Sequence, residues 1–287
     1  MSTQPDPGVG ELTLHEAADR LGVHYMTVYR WVRTGRLPAT RTGAEWRVDP
    51  ADVEAMRRRP AAAGRDRGSR GRPRSRAAAA QRLRQRLIAG DEAGAWAVLE
   101  ELMAAGASPT DVHVDVITPA LAAVGAGWAD GEVSVADEHR ASVVVARLLG
   151  RMGPHFARPG RKRGTVVIGA PAGEAHSLPG SLLADVLRGA GFAVVDLGAN
   201  TPAESFVEAS RDEPRLVAVL VGAFNAESTE VLRTTVAALH AAGIAPVLVG
   251  GSVVSDAEDA ARLGADGWTG EDARTALATV EELTRAA

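Results

Sequence analysis

The sequence predicts a multidomain chain: a small winged helix-turn-helix, then a four-helix bundle, then an α/β flavodoxin-like doubly wound parallel sheet. Three observations lead there. A capped helix, a Gly turn and a second amphipathic helix occupy 12–35. Helical periodicity then runs from Ala77 to about Phe156. From Gly164 on, short β-branched runs alternate with amphipathic helices in five βα units. The expected domains are 1–56 (winged helix-turn-helix), 57–76 (Arg-rich linker), 77–160 (bundle) and 161–287 (Rossmann-like sheet domain).

Composition bounds the rest. The chain has 287 residues, 46% of them hydrophobic, enough for real cores, and no cysteine, which removes disulfides and thiolate chemistry and fits a cytoplasmic setting. No apolar run approaches the ~20 residues of a membrane span and no signal-peptide pattern opens the chain, so no membrane partner is expected. The net charge of −4 conceals an asymmetry. Residues 1–76 hold 15 Arg against 9 acids (+6), whereas 77–287 hold 17 basic against 27 acidic residues (−10). The positive share lies mainly in the linker: 1–56 carry 6 Arg and 8 acids (−2), and 57–76 carry 9 Arg and 1 acid (+8). A loose phosphate-seeking arm beside a compact reading surface fits these numbers.

In the head, Thr13 and Glu16 form a capping box for the first helix, and Leu21-Gly22-Val23 supplies the turn. His24–Thr34 makes the second helix, with Val28, Trp31 and Val32 on its inner face. Tyr25, Thr27, Arg30 and Arg33 are left outward, in the position of a helix offered to the major groove. Ala39–Arg41 and Trp46–Val48 flank a short hairpin, and Asp49-Pro50 opens a third helix. Arg36, Arg41 and Arg47 are candidate phosphate or minor-groove contacts; Tyr25, Thr27 and Arg30 are base-edge candidates. Tyr29, Trp31 and Trp46 are expected in the core. The stretch YRWVRTGRLPA resembles MerR and excisionase-type winged helix-turn-helix domains, which implies a double-stranded operator DNA as partner.

The bundle's third helix is expected to start at Ser108 with Pro109 and Asp111, and its fourth at Ser134 with Asp137. Strands are expected at Thr165–Ala170, Ala193–Leu197, Leu216–Val221, Pro246–Val249 and Gly267–Trp268. The helices between them are expected near Gly180–Ala190, Pro202–Ser210, Ser228–Ala242, Asp256–Leu263 and Glu271–Arg285. In such sheets ligands bind beyond the carboxyl ends of the strands, here the loops after Ala170, Val221 and Val249.

The first of those loops reads GAPAGEAHSLPG over 169–180. Glu174 stands two residues before His176, so a carboxylate can hold one imidazole nitrogen while the other binds a metal. Alone, such a histidine is most often a surface residue. The loop resembles the [DE]-x-H-x-x-G signature of cobalamin-binding Rossmann domains, which implies His176 as lower axial ligand of cobalt. Pro179 stands at the motif's glycine position, with Gly180 after it. The same resemblance implies that Gly222, Ala223, Gly250 and Gly251 line the displaced nucleotide tail; the family's serine after the third strand is not evident.

In the bundle, Trp128 is followed after nine residues by Glu138-His139, the W-x9-EH pattern of cobalamin-photoreceptor caps. Across nearly the whole chain the parts resemble the CarH-type cobalamin-dependent, light-responsive repressors. That resemblance implies adenosylcobalamin between cap and sheet domain, a homo-oligomer (dimer or tetramer), and release of DNA when light breaks the cobalt–carbon bond. The chain would then be a regulator and not an enzyme. Ala129 stands where the archetype carries a second histidine that captures cobalt after photolysis, and His139 is the nearest substitute. A small Ala129 also leaves space for an additional bilin, which some related modules accommodate. The other readings are a light-independent cobalamin sensor and, less favoured by the head and linker, a corrinoid methyl carrier. The remaining histidines, His15, His24, His113, His155 and His240, are expected to be structural or solvated, with the last two following helices.

Overall fold

The computed structural model describes residues 11–21, 25–33, 37–42, 45–58 and 72–286. The chain divides into two compact units, Met1–Ser69 and Arg70–Ala287.

In the first unit, β1 (Leu12–Thr13) leads into α1 (Leu14–Leu21), followed by α2 (Tyr25–Arg33), β2 (Thr40–Thr42), β3 (Glu45–Val48) and α3 (Pro50–Arg58). The capping box forms: Glu16 N donates to Thr13 Oγ1 at 3.2 Å and Thr13 N to Glu16 Oε2 at 2.8 Å. These Thr13 bonds, the backbone one first, lower the Glu16 carboxyl below its usual range. The hairpin pairs Arg41 with Trp46, and β1, which the sequence reading did not anticipate, adds a third antiparallel strand through Leu12 and Val48. Val28 and Val32 are buried with Leu14, Leu37 and Val53, and Tyr29, Trp31 and Trp46 pack against them.

The second unit opens on the bundle: α4 (Arg72–Ile88), α5 (Glu92–Ala104), α6 (Pro109–Val112), a π-helical turn (His113–Ile117), α7 (Thr118–Ala129) and α8 (Val135–Met152). Ser108 and Asp111 make a reciprocal capping box, and Ser134 accepts from Asp137 N. The expected linker is shorter than 57–76. Its first residues finish α3 and its last ones begin α4, where an Ala run favours helix; 59–71 lie outside the described residues. The π turn is a second departure, because one extra residue per turn leaves no mark on the hydrophobic pattern. The continuous helix Pro109–Ala129 has the length and hydropathy (1.3) to cross a membrane. In this fold its inner residues Val112, Val116, Ile117, Ala120 and Val124 instead fill the bundle core.

The sheet contains β4 (Thr165–Gly169), β5 (Ala193–Asp196), β6 (Leu216–Gly222), β7 (Val247–Gly250) and β8 (Gly267–Trp268), all parallel in the order β5-β4-β6-β7-β8. Alternation sorts its side chains. Val166, Ile168, Ala218 and Leu220 face α9 (Leu178–Gly189) and α13 (Ala273–Ala286). Val167, Val219 and Val221 face α10 (Ala203–Arg211), α11 (Thr229–Ala241) and α12 (Ala257–Arg262).

Bundle and sheet share one body. Leu182 of α9 sits in the bundle core. His113, 1% exposed on the π turn, faces Asp185 of α9 with Nε2 3.2 Å from Oδ2, and its ring packs on Phe156. Asp111 and Asp115 are clasped between Arg76 of α4 and Arg274 of α13, with Arg274 bonds of 2.8 Å to each carboxylate. Burial raises Asp111, but bonds from Ser108 and Arg274 outweigh it and hold the carboxyl below its usual range. His240 does not follow its helix: it lies in the last turn of α11, 2.9 Å from Asp266.

Candidate functional site

The loop after β4 is fastened before it reaches His176. Ala170 N donates to Gly198 O (2.8 Å), Thr201 N to Ala170 O (3.0 Å), and Asn200 N to Glu174 O (2.8 Å). Glu174 is 1% exposed. Its Oε2 accepts from the backbone amides of Phe224 (2.7 Å) and Asn225 (2.9 Å), which follow β6. Its Oε1 accepts from His176 N (3.1 Å) and lies 2.5 Å from His176 Nδ1. Burial pushes this carboxyl up, yet the Phe224 amide, the imidazole and the Asn225 amide together bring it down to about 2. The acid is therefore ionised, and Nδ1 carries the proton it accepts. That leaves Nε2 as the basic nitrogen, with no hydrogen-bond partner among the described residues, on a side chain 59% exposed.

Pro179 does not disturb the loop. It sits in the first turn of α9, where its missing N–H has no intrahelical partner to lose.

His176 lines a small open crevice, about 60 Å³, beyond the carboxyl ends of β4, β6 and β7. Gly222, Gly250 and Gly251 line it. A Cβ on Gly250 would fall 2.0 Å from Thr269 Oγ1, and one on Gly251 (φ +95°) 2.0 Å from the Ala223 carbonyl. Only glycine allows these close approaches of strand end to neighbouring chain. Ala223 itself is buried behind Gly251 and does not line the crevice, a correction to its expected role. Phe224, Gly198, Leu183, Ser177 and Thr269 line it and were not anticipated. Their signal was position alone, just past a strand end or in the first turns of α9. In place of the serine sought after the third strand, Ser252 after the fourth donates to Phe224 O at 2.7 Å. A glycine-walled crevice beside an imidazole nitrogen with no hydrogen-bond partner among the described residues has the donor chemistry to hold a metal-centred cofactor.

At the bundle, Gly127 O accepts from Glu132 N and Val133 N, a tight turn that ends α7 and leaves Trp128 52% exposed. Glu138 lies in the first turn of α8, accepting from Ser142 Oγ at 2.8 Å and meeting His139 Nδ1 at 2.9 Å. The structure thus puts Trp128 and Glu138-His139 on either side of one short connection, and none of the three lines the crevice.

In the head, Arg41 is exposed beside Trp46, 6.0 Å from its ring centroid, and Arg47 lies on β3 between Thr13 and Thr40. Tyr25, expected outward, is half-buried: it packs against the core and stacks on His15 at 4.3 Å. Thr27, Arg30 and Arg33 are on α2, but their side chains, like all of His24 and Arg36, lie outside the described residues.

Comparison with known proteins agrees with this arrangement. Three family models match: a helix-turn-helix domain over 11–60, a B12 binding domain over 79–152, and a second B12 binding domain over 164–278. The body is a cobalamin-binding module. It stands behind an N-terminal helix-turn-helix in one chain. The trimethylamine corrinoid protein 1 of Methanosarcina acetivorans is 31% identical over 132 residues, 45% of this chain, which spans 61% of that protein. The trimethylamine corrinoid protein of Methanosarcina barkeri is 29% identical over 205 residues, 67% of this chain and 89% of the relative. Among solved structures, the monomethylamine corrinoid protein of Methanosarcina barkeri superposes with a TM-score of 0.61 at 21% identity, covering 70% of this chain and 96% of that one, a likeness of fold.

Proposed function

We propose that this chain is a DNA-binding transcriptional regulator, acting as a repressor in the cytoplasm, whose hold on operator DNA is set by bound adenosylcobalamin and released by light. The observation that carries the reading is the union of a helix-turn-helix with a cobalamin module whose cap leaves a tryptophan exposed beside Glu138 and His139. When bound, the cofactor supplies a photolabile cobalt–carbon bond. The chain's own groups hold it. His176 Nε2 would hold the cobalt, with Glu174 fixing the tautomer of the ring. Gly222, Gly250 and Gly251 admit the nucleotide tail. Trp128 covers the adenosyl group, and Glu138 and His139 hydrogen-bond it. His139 would be the imidazole of the cap able to reach the cobalt, since Ala129 offers none. The described residues add nothing that calls for a bilin, and the reading takes cobalamin alone. The dark form is a homo-oligomer, dimer or tetramer, whose two-fold symmetry matches a two-fold operator.

A second reading is kept because the similar proteins carry the name corrinoid protein: a methyl carrier serving a methyltransferase. The experiment that separates the two loads the full chain with adenosylcobalamin in the dark. Gel filtration and binding to a random-sequence duplex library are then followed before and after illumination. The regulator reading expects an oligomer that retains selected duplexes in the dark, and loss of both size and DNA after light. A dark complex unaffected by light but dependent on cobalamin points to occupancy as the signal. Methyl transfer to a thiol or folate without any DNA retention overturns the regulator reading.

A further inference from the structure

The acidic body is not uniformly acidic. Residues 139–173 hold six Arg and one Lys and no Asp or Glu, leaving 10 basic and 27 acidic residues for the rest of 77–287. The centre of this stretch, Ala157–Gly164, connects the bundle to β4 and is woven into carbonyl oxygens. Arg158 Nε donates to Gly189 O (2.8 Å), Lys162 Nζ to Arg158 O (2.6 Å), and Arg163 Nη1 to Ala190 O (3.3 Å). Arg215 joins from the start of β6, donating to Lys162 O. Arg163 also meets Glu281 and the neighbouring Arg188 meets Asp185. Arg158, Arg161, Lys162 and Arg215 pair with no carboxylate among the described residues.

Two features make this web more than a solvated surface. Like charges so close along the chain repel each other, and carbonyl tethers hold Arg158, Lys162 and Arg215 against that repulsion, while Arg161 stays exposed between them in sequence. Arg215 also takes a φ of +127°, a conformation that L residues rarely adopt, with its carbonyl bonded to Thr165 N at 2.8 Å. Such strain persists where the surroundings impose it, and it gathers at functional positions. The web lies at the amino ends of β4, β5 and β6, at the opposite edge of the sheet from the crevice, so occupying one does not block the other.

The partner follows from charge. Residues 1–56 are net −2, so the phosphate contacts of the head fall mainly to the Arg-rich 57–76, and a second cationic face would add to that arm. A body carrying 27 acids can approach DNA most closely where cations outnumber them, and here Arg158, Arg161, Lys162 and Arg215 stand unpaired beside Glu281, Asp185 and Glu213, the first two already engaged by Arg163 and Arg188. We propose that this cationic edge is a second, sequence-independent contact with the phosphates of duplex DNA; the proposal rests on the regulator reading above.

The test uses the full chain loaded with adenosylcobalamin in the dark, and a random-sequence duplex titrated across a salt series. The triple variant Arg158→Gln/Arg161→Gln/Lys162→Gln is compared with Arg161→Glu, at an exposed side chain with no partner among the described residues, whose reversal leaves the fold alone. Each lost phosphate contact lowers the slope of log K against log salt by about 0.9. The triple variant is therefore expected to lose roughly 2–3 units of slope and at least about tenfold in affinity on every duplex, with an unchanged cobalt spectrum. Wild-type slope and affinity in both variants overturn the proposal. So does loss of oligomer size at unchanged slope per protomer, which assigns the edge to contact between copies. Wild type that binds no duplex at any salt instead overturns the regulator reading itself.

Discussion

The body contains two Glu–His pairs that look alike on paper and differ in how they are held. In both, the carboxylate engages Nδ1 and leaves Nε2 open: Glu174 to His176 at 2.5 Å and Glu138 to His139 at 2.9 Å. Glu174 is buried, and two backbone amides from the far side of the crevice fix it before it meets the imidazole. Glu138 has only the Ser142 hydroxyl besides its neighbour, and His139 is 74% exposed. Adjacent residues on a helix do not naturally face each other, so that pair is ordered only by restricting two surface rotamers. The first pair is built to present the same nitrogen at all times. The second can engage or let go, which suits a group needed in one state of a switch.

The largest expected effect breaks the comparison outright. His176→Ala should remove the axial imidazole signature from the cobalt spectrum in the dark, while His139→Ala should keep that signature in the dark and change the illuminated spectrum most. An unchanged dark spectrum in His176→Ala would sink the ligation assignment. Next comes Glu174→Gln, which keeps the shape but weakens the hold on Nδ1. Loss of such an outer partner typically lowers metal affinity by about 10–100-fold, measured here as cobalamin affinity by dark titration; Glu138→Gln should change it far less. The same substitution has a pH signature. The Glu174 carboxyl sits at about 2 in the fold against 4.5 ordinarily, so its ionised form stabilises the protein fully above pH 4.5. That contribution fades as pH falls from 4.5 towards 2. Acid unfolding followed by circular dichroism should therefore separate wild type from Glu174→Gln by a constant margin above pH 4.5 that shrinks below it.

The sheet domain was legible nearly to the residue because its strands are short β-branched runs between capped amphipathic helices; β4, β5, β6 and β7 end within a residue of expectation. The helix starts at Ser108 and Ser134 were legible because capping is local chemistry. Glu174 and His176 were legible as a pair, two residues apart. What pins Glu174 was not, because the amides of Phe224 and Asn225 lie fifty residues on and any residue type carries an amide. The same limit hid the π turn at His113, its contact with Asp185 seventy-two residues away, and the Arg76–Asp111–Asp115–Arg274 clasp. Tyr25 is only partly outward for a related reason. Helical period alone turns it outward, but His15 on α1 supplies a ring for it to stack on.

The smallest effect is expected at Trp128, and it is the most discriminating. With half its surface in water, Trp128→Ala should shift folding stability by no more than about 1 kcal/mol. An aromatic group stacked on a ligand contributes about 0.5–1.5 kcal/mol beyond its buried area. Dark titrations should therefore show adenosylcobalamin bound roughly 2–10-fold more weakly. Hydroxocobalamin, which has no adenosyl group for the ring to cover, should bind as it does to wild type. That selectivity would assign the Trp128 end of the cap to the upper group and the Glu174 end to cobalt whatever it carries. An equal loss for both cobalamins would make Trp128 a general wall of the cofactor site, and a methyl carrier could use such a wall as readily as a light-responsive regulator.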